Sequence, residues 1–191
     1  MNILALDTTR DELLAVLFCG GKKYVKSGAA TKSGHSPSLF PFIEELMQKA
    51  GAAPEKLDAV CAVVGPGSFT GIRIGVAAMN ALAFATGAKR IEVNSFELLV
   101  ERHKGEVLAV IPAAHGNVFA AKFSNGKQTE SGFFDQKDLP VCEKIVRQEQ
   151  FSDFETALVK VCEKKFSRGE FSDMLKPLYL RKSQAERLKK D

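Results

Sequence analysis

The sequence predicts an α/β protein of two lobes, each a mixed sheet flanked by helices, with the second lobe reduced. Three observations carry this expectation. Residues 2–27 read as three short strands separated by polar or glycine turns. Residues 34–103 alternate helix, strand, helix, strand and helix. Residues 107–134 then start a second set of strands that resembles the first and is cut short. The expected division is a first lobe over 1–104 and a smaller second lobe over 105–191 with a basic C-terminal tail, which suits a chain of 191 residues.

The elements follow in chain order. Residues 2–6 form an apolar run closed by Asp7-Thr8-Thr9, and residues 13–18 form a second run after the polar Arg10-Asp11-Glu12. Gly20-Gly21 turns the chain into a third strand at 22–27. From 34 to 49 the period becomes helical, with Leu39, Phe40, Phe42, Ile43, Leu46 and Met47 on one side, Ser36 as the expected N-cap and Gly51 as the stop. Pro37 suits a first turn, whereas Pro41 should shift the start or bend it. Residues 57–64 read as a buried strand that runs into Gly65-Pro66-Gly67, followed by a helix over 69–86 that Gly87 ends. A strand at 91–93, a helix at 95–103 and strands at 107–111, 117–123 and 127–134 come next, the last two joined by the hairpin signal Asn125-Gly126. After Asp135 the only period is helical, with Phe154, Ala157, Leu158, Val161 and Cys162 on one face. The tail from Lys176 is basic, and 184–190 has helical character.

Composition narrows the class. With 45% hydrophobic and 26% charged residues the chain reads as a soluble globular protein, which excludes collagen, coiled coil and tail-like disorder. The apolar stretch 72–88 is interrupted by Arg73 and Asn80 and is expected to be a buried helix, with no membrane partner. The start MNILALDTT has no basic flank, long apolar region or small-residue cleavage site, so a cytoplasmic location is expected. Cys19, Cys61, Cys142 and Cys162 are scattered without CxxC or Cys/His spacing and should be reduced, buried thiols. The net charge of +4 does not by itself make a nucleic-acid binder.

VVGPGSFTGIRIG, residues 63–75, is the most informative stretch: a strand, a glycine turn and a helix start. Such a turn can hold an anion on free N–H groups, but its spacing is neither GxGxxG nor GxxxxGK[ST], and no lysine reaches a phosphate. A tight strand-to-helix connection is the simpler reading. Gly71, Gly75, Ala77, Ala78, Ala81, Ala83 and Ala85 make the following helix small-surfaced, and small side chains let another helix come close. That helix and the aromatic one before it can share a core, face a partner, or do both. Asp7, with Thr8 and Thr9, is either a turn residue or a carboxylate for a metal-bound phosphate. His35, His103 and His115 are too far apart to suggest a metal pair, and Ser68 is outside a GxSxG elbow.

LALDTT at the start, VVGPGSFTGIRIGVAAMNALAFATG in the middle and PLYLR near the end resemble the bacterial TsaB (YeaZ) family. The resemblance implies an actin-like (ASKHA) two-lobed fold and a non-catalytic subunit in the synthesis of threonylcarbamoyladenosine (t6A) on tRNA. TsaD, the catalytic paralogue, and the ATPase TsaE are the implied partners, with tRNA met through the complex and a homodimer one of the forms open to the free chain. It implies no cofactor on this chain alone, with ATP and metal on the partner subunits. It also implies that the two helices form the partner surface. Leu39, Phe42, Ile43, Leu46 and Met47 would come from the first, and Gly71, Ile72, Gly75, Ala78, Met79 and Leu82 from the second. Asp7, Thr8, Gly67 and Ser68 would be nucleotide-proximal. Catalytic relatives carry an HxxxH metal pair near the strand at 91–93, where this chain has Ser95 and Leu99, and neither replaces imidazole as a donor. Two departures stand out: Pro112-Ala113-Ala114 replaces the DAR common in the family, and the second lobe reads as lacking a late strand.

Three rival readings remain open on the sequence. One is a phosphotransferase that uses Asp7, Thr8 and Thr9 around a magnesium-bound phosphate, and another is a peptidase, for which no catalytic set is visible. The third is direct tRNA binding by Lys176, Arg181, Lys182, Arg187, Lys189 and Lys190, since clustered cations gain from counterion release.

Overall fold

The run ILALD is apolar in both phases because both of its faces are covered. In the computed structural model, which describes residues 1–29 and 34–180, it forms β1 (Ile3–Asp7), buried along its whole length. β1 pairs antiparallel with β2 (Glu12–Cys19) and parallel with β4 (Ala59–Val63). With β3 (Lys22–Ala29) and β5 (Lys89–Val93) this makes a five-stranded mixed sheet of order β3-β2-β1-β4-β5. Alternation then assigns the faces: Leu4, Leu6, Val60 and Ala62 point to one core, and Ile3, Ala5, Cys61 and Val63 to the other.

The first face carries the two long helices, α1 (Ser36–Ala50) and α2 (Phe69–Thr86). α1 ends at Gly51, whose φ of 60° is the left-handed turn expected of a C-terminal glycine. Its start differs from expectation: the N-cap is His35, which makes no side-chain cap bond, and Ser36 is already helical. The His35 ring is instead drawn inward, with Nε2 2.7 Å from the Arg10 carbonyl oxygen. Pro41 lies inside α1 on its exposed side without ending the helix. α2 has the length and apolarity of a bilayer-spanning helix. Ile72, Val76, Met79 and Ala83 seat it in the first core.

The second face meets α3 (Ser95–Val100) and α4 (Phe154–Ser167). α3 is shorter than expected. An Asn94–Glu97 capping box starts it, and the turn at 101–105 ends it at a glycine with φ 77°. α4 buries Ala157, Leu158, Val161 and Cys162 against the first sheet, the face read from the sequence. Although it follows the second set of strands, it therefore belongs to the first sheet's core. Cys61 of β4 and Cys162 of α4 have sulfurs 3.0 Å apart, and burial pushes the Cys61 thiol pKa up. All four cysteines are free thiols, with Cys19 and Cys142 only half-buried.

The second sheet has the order β8-β7-β6-β9 and comprises β6 (Glu106–Pro112), β7 (Asn117–Ser124), β8 (Lys127–Asp135) and β9 (Ile145–Arg147). β9 corrects the expectation of nothing but helix after Asp135. Three residues are too few to display a period of two, and the strand exists by pairing parallel to Leu108–Val110 of β6. α3 fills the space between the sheets, with Phe96, Leu99 and Val100 packed on Val107, Ala109, Ala121 and Phe123.

The chain finally returns to the first sheet. Ser172 bridges to Arg90, and the Asn80 side chain bonds both the N–H and the carbonyl of Leu175 (3.0 and 2.9 Å). Leu178 N–H donates to the Val64 carbonyl at 2.8 Å. Tyr179 stacks on Phe69 at 5.2 Å and accepts from Arg73 Nε at 2.8 Å. The PLYLR segment is thus a strap along α2 as far as Leu180. The helical character at 184–190 and the cations Arg181, Lys182, Arg187, Lys189 and Lys190 lie outside the described residues.

Two predictions follow from this packing. Gly71 and Gly75 have no room for a Cβ: it would overlap the Thr8 carbonyl oxygen at the first and Thr8 Oγ1 at the second. Gly71→Ala should lower stability by about 3 kcal/mol, the upper range for overpacking, read as a lower urea midpoint at unchanged slope. Glu45 of α1 is held by hydrogen bonds from Lys26 of β3 and Lys49, which lower its pKa to about 2 from an ordinary 4.5. A depressed carboxylate favours the folded state above the ordinary value, and that contribution disappears as pH falls toward about 2. An NMR titration should place the Glu45 midpoint near 2 and shift it upward in Lys26→Met.

Candidate functional site

β1 delivers Asp7, Thr8 and Thr9 to the point where β4 leaves the sheet and α2 begins. All three are buried, and their polar atoms are used within the chain. Asp7 Oδ1 accepts from Thr9 N–H (2.8 Å) and Thr9 Oγ1 (2.7 Å), and Oδ2 accepts from Arg10 Nε (2.9 Å). Thr8 Oγ1 donates to the Gly71 carbonyl at 2.7 Å, and Ser68 N–H donates to the Thr9 carbonyl at 2.8 Å. Ser68 caps α2 by accepting from Gly71 N–H at 3.2 Å. A Cβ at Gly67 would lie 2.8 Å from Thr9 Cβ. The glycines of GPGSFTGIRIG therefore seat the Thr8–Thr9 turn on the helix, as the connection reading expects.

Of the four residues expected near nucleotide, Asp7, Thr8, Gly67 and Ser68, all belong to this joint. Arg10, which sequence reasoning passed over, completes it: the guanidinium neutralises Asp7 and lies 3.9 Å over the Phe154 ring. The run Asp7 to Glu12, with one cation among three acids, was the available signal. Ser95 and Leu99, at the α3 positions compared with the histidine pair, are both buried. Among the described residues, no group of three or more His, Cys, Asp or Glu could hold a metal.

The expected partner surface needs correction residue by residue. Leu39, Ile43, Leu46, Met47, Ile72, Ala78 and Met79 are at most 8% exposed and belong to the first core. Gly71 and Gly75 are pressed on Thr8, and Phe42 and Leu82 are half-buried against the same core. The reason is geometric: the larger residues of each helix cover the sheet, so the outward face is the remaining stripe. On α2 this stripe is Ala77, Ala81 and Ala85 with Phe84, which is 87% exposed. On α1 it is Phe40, 53% exposed, with Pro41, Glu44 and Gln48. The alanine spacing of four was visible in the sequence, but which side it faced was not.

Comparison with known proteins gives a consistent picture. Residues 29–136 match the family model described as TsaD, tRNA N6-adenosine threonylcarbamoyltransferase. A tRNA threonylcarbamoyladenosine biosynthesis protein TsaB from Haemophilus influenzae is 29% identical over 157 residues, 78% of this chain and 66% of the relative. TsaB of Bacillus subtilis is 30% identical over 131 residues, 66% of this chain and 57% of the relative. The chain thus spans between 57% and 66% of the length of these two relatives. In fold it is similar to YeaZ from Pseudomonas aeruginosa, with a TM-score of 0.77 at 21% identity over 94% of this chain and 99% of that one.

Proposed function

Because the chain belongs to the TsaB (YeaZ) branch of the TsaD threonylcarbamoyltransferase family, we propose that it is a non-catalytic subunit of tRNA t6A modification, docking on TsaD through α1 and α2 and activating it. The observation that carries the reading is the outer stripe of α2. Ala77, Ala81 and Ala85 let another helix approach closely, and Phe84 stands almost fully in solvent, as a side chain does when its pocket is on another molecule. Phe40 adds a second exposed ring from α1.

The polar joint supports the non-catalytic part. Asp7 accepts three hydrogen bonds from Thr9 and Arg10 and its charge is balanced by Arg10, so it is engaged within the chain rather than held out toward a metal-bound phosphate. Ser95 and Leu99 replace imidazole where catalytic relatives place their metal pair. On this reading the complex works in the cytoplasm, ATP and metal sit on TsaD and TsaE, tRNA is met through the complex, and the free chain pairs with a second copy through the same stripe.

A reconstituted modification assay tests it. TsaD with TsaE should form t6A on tRNA much faster when this chain is added, and an equal rate without it would refute the proposal. Ala81→Asp and Phe84→Asp should each weaken TsaD binding by about tenfold or more, measured by calorimetry, with far-UV spectra unchanged. Wild-type affinity in both would move the interface off α2.

A further inference from the structure

α2 carries one ionisable side chain, Arg73, and it is exposed. Counting on from it in fours gives Ala77, Ala81 and Ala85, so Arg73 stands in the same outward stripe, about 18 Å of helix rise before Ala85. The side chain is already held in place. Nε donates to the Tyr179 hydroxyl at 2.8 Å, and the guanidinium lies 3.8 Å over the Phe69 ring. Phe69 and Tyr179 are themselves exposed, so the platform belongs to the surface and not to the core. The charge is unanswered: among the described residues no carboxylate forms an ion pair with Arg73. The first turn of α2 holds no acid either, and its positive end adds to the same potential.

A neighbour that packs closely on Ala77 and Ala81 also covers the position one turn before them. Covering Arg73 strips water from a full charge, which is costly unless the covering surface returns a counter-charge. With Nε taken by Tyr179, the free edge of the guanidinium is its Nη1 and Nη2 pair, a fork that a carboxylate meets with two parallel hydrogen bonds. A nucleic acid suits the surface less, because tracking phosphates takes several cations and α2 offers one among alanines and phenylalanines.

We infer that Arg73 is the charged anchor of the α2 surface and receives an aspartate or glutamate from the helix that docks there. The inference rests on the docking of TsaD on α2 and adds the partner side chain which that surface demands. The strap enters the interface with it, because Tyr179 sets the guanidinium.

Calorimetry of the full chain with TsaD tests this, without nucleotide so that no phosphate stands in for the carboxylate, at about 50 mM and about 300 mM sodium chloride. Arg73→Met keeps an unbranched side chain over Phe69 and removes the charge. It should weaken TsaD binding about tenfold at the lower salt and flatten the salt dependence that the wild type shows, which a role in holding the strap alone would not do. Arg73→Glu should lose more, since it sets two acids against each other. Tyr179→Phe keeps the ring but releases Nε, and should cost about threefold with the salt dependence retained. Ala81→Asp and Phe84→Asp report on the docking itself. If they weaken TsaD binding while Arg73→Met keeps wild-type affinity or wild-type salt dependence, the inference is overturned and the docking stands. Wild-type affinity in Ala81→Asp and Phe84→Asp overturns both. A parallel titration with tRNA gives the remaining outcome: binding lost in Arg73→Met to tRNA but not to TsaD would assign the residue to RNA and overturn the inference.

Discussion

The seat of the Thr8–Thr9 turn on the backbone of α2 is the contact on which the architecture depends. It brings the end of the central strand against the start of the longest helix at a distance that no side chain other than hydrogen at residues 67, 71 and 75 permits. The Thr8 hydroxyl donates to the Gly71 carbonyl, and the Thr9 carbonyl accepts from the Ser68 N–H, which precedes the helix and has no partner within it. With α2 placed so closely, Ile72, Val76 and Met79 reach the sheet, and the strap finds Asn80 and Arg73 at the spacing it needs.

The same contact constrains chemistry. A strand end with an aspartate and two threonines beside a glycine loop has the composition of a phosphate site, yet here the hydroxyls, the carboxylate and the helix cap bond one another. Arg10 takes the remaining oxygen of Asp7, and its Nη2 is buried without a hydrogen-bond partner.

The two long helices divide their residues between the monomer and the outside. Their bulky aliphatic residues form the first core, and the exposed side carries the alanines of α2, polar residues of α1 and the rings of Phe40, Phe69 and Phe84. Substitutions at Ile43 or Gly75 would therefore act on folding, whereas Phe84 and Ala81 lie on the surface outside that core. α4 shows a related division, because it comes after the second sheet in the chain but is buried on the first.

Local pattern was enough to read most of the elements. Period two and period 3.6 are properties of neighbouring residues, so β1 to β8, α1, α2 and α4 could be recognised, and the glycine stops at 51 and 87 follow from backbone freedom alone. The motifs LALDTT and GPGSFTGIRIG were enough to point to the family. What lay beyond reach were properties set by distant partners. β9 is a strand because β6 is beside it, and the side chain of the N-cap residue His35 meets the Arg10 carbonyl instead of capping α1. Arg10 acquired its place from Asp7 on one side and Phe154 on the other, 144 positions away in the chain. Which face of α1 and α2 is buried depends on where the sheet lies, and an amphipathic period states that a helix has two faces without stating which neighbour covers each. Burial is a property of the assembled surface, so it emerged only when the elements were packed together.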